Sequence, residues 1–364
     1  MAWDLLLRGA VGGLLLFHFF HLALPGPRGS ARAALGLFTL SLIAYLFCQR
    51  GDLMSMLPAA FGAATLAMCS SSTAWLWLAS RGLFDDHFVL KPALLGPALA
   101  MVALGLAANL PTLQAARAGM PRPDETLAGM LHAVAMVGFT AAAIWEVARG
   151  WRDDLVEPRR AARRWVALGI GVYASIALAV ELAVQGRPVG PLLPALHVLG
   201  IGSVALGLAL LVARRSLGVI LGSREPAPAV PVAPTVVVEA TPTAPVSATR
   251  ARLEHAMDEE RAYRREGLTL ADLAASLDIG EAALRRLINQ ELGYRNFNDF
   301  LHHYRLRDSA GRLTGEDLPI LTIALESGYG SIGPFNRAFR QRFGMTPTEY
   351  RAAARMERLR QQPT

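Results

Sequence analysis

Arginine and asparagine recur at helical spacing in two places near the end of the chain. One place holds Arg285, Arg286 and Asn289; the other holds Asn336, Arg337, Arg340 and Gln341. Positions three and four apart share a helix face, so multi-donor side chains in such a run can line up along one side of a helix. Guanidinium groups suit bidentate contact with guanine O6 and N7, and carboxamides suit adenine. This is recognition chemistry, not catalysis. No nucleophile, base and orienting acid recur at mutual spacing, no Cys-x-x-Cys pair points to a metal, and no glycine-rich loop cradles a phosphate. The chain is expected to be no enzyme and to need no cofactor.

Such stripes need short helices, sharp turns and a core behind them. Leu270 to Leu277 has the apolar spacing of a short helix, Asp278 to Gly280 a tight turn, and Glu281 to Leu292 a second helix stopped by Gly293. Ala274 and Asp278 stand four apart: the small residue lets two helices cross closely, and Asp tolerates a left-handed turn. The arrangement repeats. Pro319 opens a helix through Ile320, Ile323 and Ala324, and Gly328 supplies a positive-φ position at the same spacing. After Ser331 a further helix places Phe335, Phe339 and Phe343 on one face and Asn336, Arg337, Arg340 and Gln341 on the other. A buried stripe behind an arginine-bearing face is what a major-groove reader requires.

The runs LTLADLAASLDIGEAALRRLINQELGYRNFNDFLHHYRLRDSAGRL and ILTIALESGYGSIGPFNRAFRQRFGMTPTEYR resemble the DNA-binding domain of AraC/XylS-type transcription regulators. The resemblance covers roughly residues 250 to 355. It includes both turns, the intervening Phe297, Phe300, Tyr304 and Arg305, and the closing Gly344, Thr346, Pro347, Tyr350 and Arg351. It implies two reading heads joined by one long helix, about Asn298 to Leu313, entering successive major grooves on one face of the duplex. Carried over position by position, the resemblance implies that Glu281, Ala282, Arg285, Arg286 and Asn289 on the first reading helix, and Ser331, Ile332, Asn336, Arg337 and Arg340 on the second, face DNA. Gly333 and Pro334 depart from the family's usual side chains, and Asp278 replaces its usual turn glycine.

The preceding chain is of another kind. Of 364 residues, 53% are apolar and 18% charged, with a mean hydropathy of +0.33, which is too apolar for a purely soluble protein. Seven apolar runs near spanning length occupy the first part only: Leu5 to Leu24, Ala33 to Cys48, Leu57 to Ala79, Pro92 to Leu110, Leu127 to Ala148, Trp165 to Val184, and Pro191 to Ala213. With the N-terminus outside, the inner loops hold most of the arginines, including Arg149, Arg152, Arg159, Arg160, Arg163 and Arg164, while the outer loops hold Arg50, Arg117, Arg122 and Arg187. The positive-inside rule then places the C-terminus in the cytoplasm. The first run is read as a true span, because Asp4 spoils the basic region of a signal peptide. Cys48 and Cys69 fall inside runs and are expected to be buried thiols without a disulfide. Lys91, the only lysine, leaves the last run unable to form a retinal Schiff base.

Polar residues within the runs are costly in hydrocarbon. Arg8, Asn109, His132, Glu181 and His197 project to the outer half of the bundle, where Arg8 can pair with Glu181 and the histidines can line a pH-responsive ligand pocket. Equally, these groups can snorkel or satisfy one another between helices. Ser70, Ser71, Ser72 and Thr73 are expected to bond backbone carbonyls, and Trp75 and Trp77 to anchor at an interface. Prolines between Gly222 and Thr249 forbid a helix there; the stretch of about 27 residues would reach on the order of 30 Å as a coil, a poor conductor of rigid motion. A charged helix from Arg250 to Arg265 is expected to lead into the reading domain.

The fold expected is all-α: a seven-helix transmembrane bundle over residues 1–215, a Pro/Ala-rich linker over 216–249, an AraC-type tandem helix-turn-helix domain over 250–355 and a tail over 356–364. The function implied is a transcription regulator held in a bacterial inner membrane with its reading domain in the cytoplasm. The alternative is an integral membrane enzyme or transporter whose cytoplasmic helices bind another protein. Expected partners are double-stranded DNA, membrane lipid, a small-molecule ligand, a second copy of the chain and, for an activator, RNA polymerase.

Overall fold

The computed structural model describes residues 2–24, 29–48, 50–121, 123, 126–184, 192–213 and 244–361. The expected linker up to residue 243 and the last three residues lie outside them. The chain divides into two compact units, Met1–Trp151 with Pro158–Ser223, and Arg152–Glu157 with Arg224–Thr364.

The first unit contains α1 (Ala2–Ala23), α2 (Gly29–Cys48), α3 (Gly51–Met56), α4 (Ala59–Ser70), α5 (Ser72–Phe84), α6 (Pro92–Arg117), α7 (Leu127–Ala148), α8 (Glu157–Val184) and α9 (Leu192–Ala213). Helix α2 packs against α1, α4 and α5; α7 packs against α5 and α6; α9 packs against α1. Small residues such as Ala31, Ala34, Ala74 and Ala98 are fully buried where helices meet, while Phe17, Phe20, Val134 and Val137 face outward. Among the described residues, four helices are long and apolar enough to cross a membrane: Trp3–Ala23, Gly29–Cys48, Pro92–Arg117 and Leu127–Ala148.

The third expected span is interrupted. Helix α4 ends at Ser70 and α5 starts at Ser72, with Ser71 between them at φ −101°, ψ 10°. The Ser71 hydroxyl donates to the Ala67 carbonyl at 2.7 Å and accepts the Trp75 indole N–H at 2.8 Å, so a side chain competes with the helix ladder at the break. The pieces, 12 and 13 residues long, each fall short of the roughly 20 residues a span needs. Trp75 is thereby buried, 5% exposed, and is no interfacial anchor. The break also sets α4 beside the end of α2, where Cys48 and Cys69 are joined in a disulfide with Cα atoms 6.7 Å apart, contrary to the expectation of separate thiols.

The second unit is built from α10 (Ala244–Asp258), α11 (Leu270–Ser276), α12 (Glu281–Arg286, prolonged by a π turn over Leu287–Glu291), α13 (Phe297–Gly315), α14 (Ile320–Glu326), α15 (Ile332–Phe343) and α16 (Pro347–Gln361). Helix α10 starts inside the expected linker, because Pro245 sits in its first turn, where a missing N–H breaks no bond. It ends at Asp258, before the expected Arg265; Arg261 turns left-handed at φ 53°, and a 3-10 turn follows at Ala262–Arg264. Helix α13 serves two cores. Its Phe297, Phe300 and Leu301 join Leu253, Leu273, Leu284 and Ile288, while its Leu306, Ala310 and Leu313 join Ile323, Ala324, Phe335 and Phe339. Fully burying each phenylalanine contributes about 1.5 to 3 kcal/mol. The segment 152–157 from the α7–α8 loop belongs to this unit: Leu155 is 2% exposed within the first core.

Candidate nucleic-acid interface

In the first head, Thr269 and Asp272 form a reciprocal cap on α11. The Thr269 hydroxyl accepts the Asp272 N–H at 3.1 Å, and the Asp272 carboxylate accepts the Thr269 hydroxyl at 2.7 Å and its N–H at 3.1 Å. These bonds from Thr269 hold the Asp272 carboxyl below the usual range. Asp278 makes the turn at φ 51°, as its spacing predicts. Burial of Leu284, Leu287 and Ile288 fixes the roll of α12 and leaves Glu281, Ala282 and Arg286 exposed. Two other expected readers are drawn inward. Arg285 is 9% exposed and ion-paired with Glu281 one turn earlier, and half-buried Asn289 donates from Nδ2 to the Tyr294 carbonyl at 2.9 Å.

In the second head, Ser331 stands at the start of α15 in extended backbone, and Gly333 and Pro334 fall in the helix's first turn, where proline is harmless. Phe335 and Phe339 are fully buried, so Asn336, Arg337 and Arg340 are exposed on the opposite face. Ile332 is half-buried against the core. Tyr350 packs edge-on against Phe339, with ring centroids 5.3 Å apart, and the Arg351 guanidinium donates to the Leu318 carbonyl at 2.7 Å. The closing residues therefore brace the second head.

Buried polar contacts join the heads. Arg305, 8% exposed, donates from Nε to the Tyr263 carbonyl at 2.7 Å and from Nη2 to the Arg265 carbonyl at 2.9 Å. It also lies over the Tyr329 ring, 5.7 Å from its centroid. Gly328 turns at φ 92° in the same place; a Cβ there would lie 2.5 Å from the Tyr263 oxygen and 2.9 Å from Arg305 Nε, so the turn admits only glycine. Arg264 reaches Asp308 through two bonds of 3.0 and 2.8 Å. Burial pushes the Tyr304 hydroxyl up to about 12. Arg264 and Asp308 carry no sequence signal, because their pairing spans 44 positions.

Several polar groups of the first unit find partners within it. Arg8 pairs with Asp4 on its own helix at 3.0 Å and donates to the Leu46 carbonyl at 2.6 Å; Arg50 reaches the same Asp4 at 2.7 Å. Asn109 donates to the Gly105 carbonyl one turn back at 2.9 Å. His132 Nε2 lies 2.9 Å from the Ser70 carbonyl, bringing α7 to the end of α4. The side chains of Glu181 and His197 lie outside the described residues. At the α7–α8 end, Arg159 is clamped by Asp86 at 2.6 and 2.8 Å, and Arg163 donates to the carbonyls of Val147 at 2.7 Å and Phe84 at 3.1 Å.

Residues 273–353 match the family model of a helix-turn-helix domain. The probable transcription factor PqrA of Proteus vulgaris is 29% identical over 93 residues, covering 26% of this chain and 75% of PqrA. The regulatory protein SoxS of Escherichia coli strain K12 is 37% identical over 67 residues, 18% of this chain. The matched segment spans 58% of SoxS. Among solved structures, the C-terminal domain of AraT, a response regulator from Geobacillus stearothermophilus, is 30% identical over 29% of this chain and 84% of that one, with a TM-score of 0.26.

Proposed function

We infer, from the premise that the C-terminal unit carries an AraC-type helix-turn-helix domain, that this chain is a membrane-anchored, sequence-specific transcription regulator with the reading domain in the cytoplasm. The observation that carries the reading is the pair of exposed faces, Arg286 on α12 and Asn336, Arg337 and Arg340 on α15. Both faces are braced by one helix, α13, whose two ends complete two separate cores. A rigid joint between heads suits successive major grooves. Candidate DNA-facing residues remain Glu281, Ala282, Arg285, Arg286, Asn289, Ser331, Ile332, Asn336, Arg337 and Arg340. Arg285 and Asn289 must change partners to reach a base.

Anchoring rests on the four long apolar helices and on the arginine-rich loop between α7 and α8. The first unit is proposed as a sensor for a small molecule, with Arg8, Asn109, His132, Glu181 and His197 as candidate lining groups. A second copy of the chain and RNA polymerase are the proposed protein partners.

The test is selection of duplexes from a random library by the full chain in lipid nanodiscs, followed by binding titrations at several salt concentrations. Enrichment of one sequence spanning two major grooves is expected; equal affinity for every duplex overturns the reading. A topology reporter fused after Thr364 is expected to be active on the cytoplasmic side, and external activity would overturn the anchoring.

A further inference from the structure

The α7–α8 loop supplies the second unit with the segment Arg152–Glu157, which lies far ahead in sequence of that unit's first helix at Ala244–Asp258. Leu155 N–H donates to the Arg295 carbonyl at 3.0 Å, and Phe297 N–H donates to the Asp153 carbonyl at 2.8 Å. Asp154 thus faces Asn296 in an antiparallel bridge. The Asn298 side-chain amide donates to the Asp153 carboxylate at 2.9 Å, and the Leu155 side chain enters the first core. Backbone pairing, a side-chain bond and an apolar plug together make a docked strap, not a chance approach. It lies along 295–297, one residue beyond the Tyr294 carbonyl that ties down Asn289, and therefore next to the end of the first reading helix.

Two features make this strap a poor neighbour for a duplex. Half-buried Asp153 brings a carboxyl group beside a helix whose ligand would be a polyanion, and like charges at close range oppose binding; Asp154 is buried and accepts the Val156 N–H at 3.1 Å, which holds the strap's own turn. Burial also pushes the Asp153 carboxyl above its usual value, although Asn298 and Arg152 pull the other way; the group gives up hydration to dock. At its other end the strap runs straight into α8, where Arg159 is clamped to Asp86 and Arg163 to the carbonyls of Val147 and Phe84. Movement of α8 relative to α7 within the first unit therefore pulls on the strap directly.

We propose that residues 153–156 form an autoinhibitory strap that, when docked on the first reading head, weakens its hold on DNA, and that α7 and α8 control the docking. This rests on the reading of the second unit as a DNA binder. It provides a route into the reading head separate from the proline-rich linker.

The experiment uses the full chain in nanodiscs and a duplex that it selects from a random library. Leu155→Asp, which ejects the plug, is expected to raise affinity about tenfold. Asp153→Asn, which keeps the backbone bonds and removes one charge, is expected to raise it a few-fold. A short thiol crosslink between Asp153→Cys and Asn298→Cys, with Cys48 and Cys69 already bonded to each other, is expected to lower it at least tenfold. In hydrogen exchange, the Leu155 amide is expected to be protected without DNA and to lose protection when the duplex is added. Unchanged or reduced affinity in Asp153→Asn, together with an uninhibited crosslinked form, overturns the strap while leaving the DNA reader standing. A wild-type chain that selects no duplex overturns the reading itself, and the strap with it.

Discussion

Single side chains set the strength of recognition and the cost of the turn. Arg286 and Arg337 are exposed on opposite heads, so changing either to Ala is expected to weaken specific binding by about 1 to 3 kcal/mol where it meets a base edge. Binding titrations against the selected duplex and a scrambled one would check this; equal losses on both would assign the residue to phosphate instead. Arg285 behaves differently, since its guanidinium is held by Glu281. Its truncation should change the melting temperature before it changes specificity. Gly328→Ala combines a left-handed backbone with a Cβ inside contact distance of the Tyr263 carbonyl, and a cost of about 2 to 4 kcal/mol is expected in a denaturant titration. These assignments were only half legible in the sequence. The resemblance points to one face of α12, but the π turn over Leu287–Glu291 commits the Asn289 amide to the Tyr294 carbonyl. Nothing local to Asn289 announces that turn.

At the level of helices, the reading domain follows its sequence closely because local signals agree with one another. Asp278 and Gly328 appear at the turns as their spacing predicts, and the three phenylalanines of α15 all pack into one core. The cap of α11 gives a further prediction. The Asp272 carboxyl is held below its usual range by Thr269, so its contribution is complete above the unfolded value of about 3.9 and fades as pH falls through the lower folded value. Thr269→Ala should lower stability by about 1 kcal/mol at neutral pH, and the deficit should narrow in acid; melting curves across pH 2 to 7 would show a constant gap if the cap were irrelevant. The first unit was less legible. Hydropathy reads 57–79 as one run, whereas the hydroxyl of Ser71 decides where the helix stops. The Cys48–Cys69 bond joins α2 to α4 across 21 positions, so it could not be read from either cysteine's surroundings in sequence.

For the molecule as a whole, recognition by two heads predicts a steep dependence on salt. If each head neutralises about three to five phosphates, the logarithm of affinity should fall with the logarithm of salt at a slope of roughly −5 to −9. A slope near half that value, measured on the same duplex, would mean that one head binds alone. Composition alone divided the chain into an apolar part and a reading part, but not the strap, because Asp153 to Val156 look like any loop between two apolar helices. Helix α13 carries one more implication. Its 19 residues run about 28 Å as one rigid rod, and both cores are threaded on it. Inserting a single alanine near its middle would swing one head by about 100° around the rod while leaving each head intact. If both heads engage one duplex, the spacing and phase of their two footprints are set by the length of one helix, and an insertion near seven residues, close to two turns, would keep the heads in phase while moving them apart.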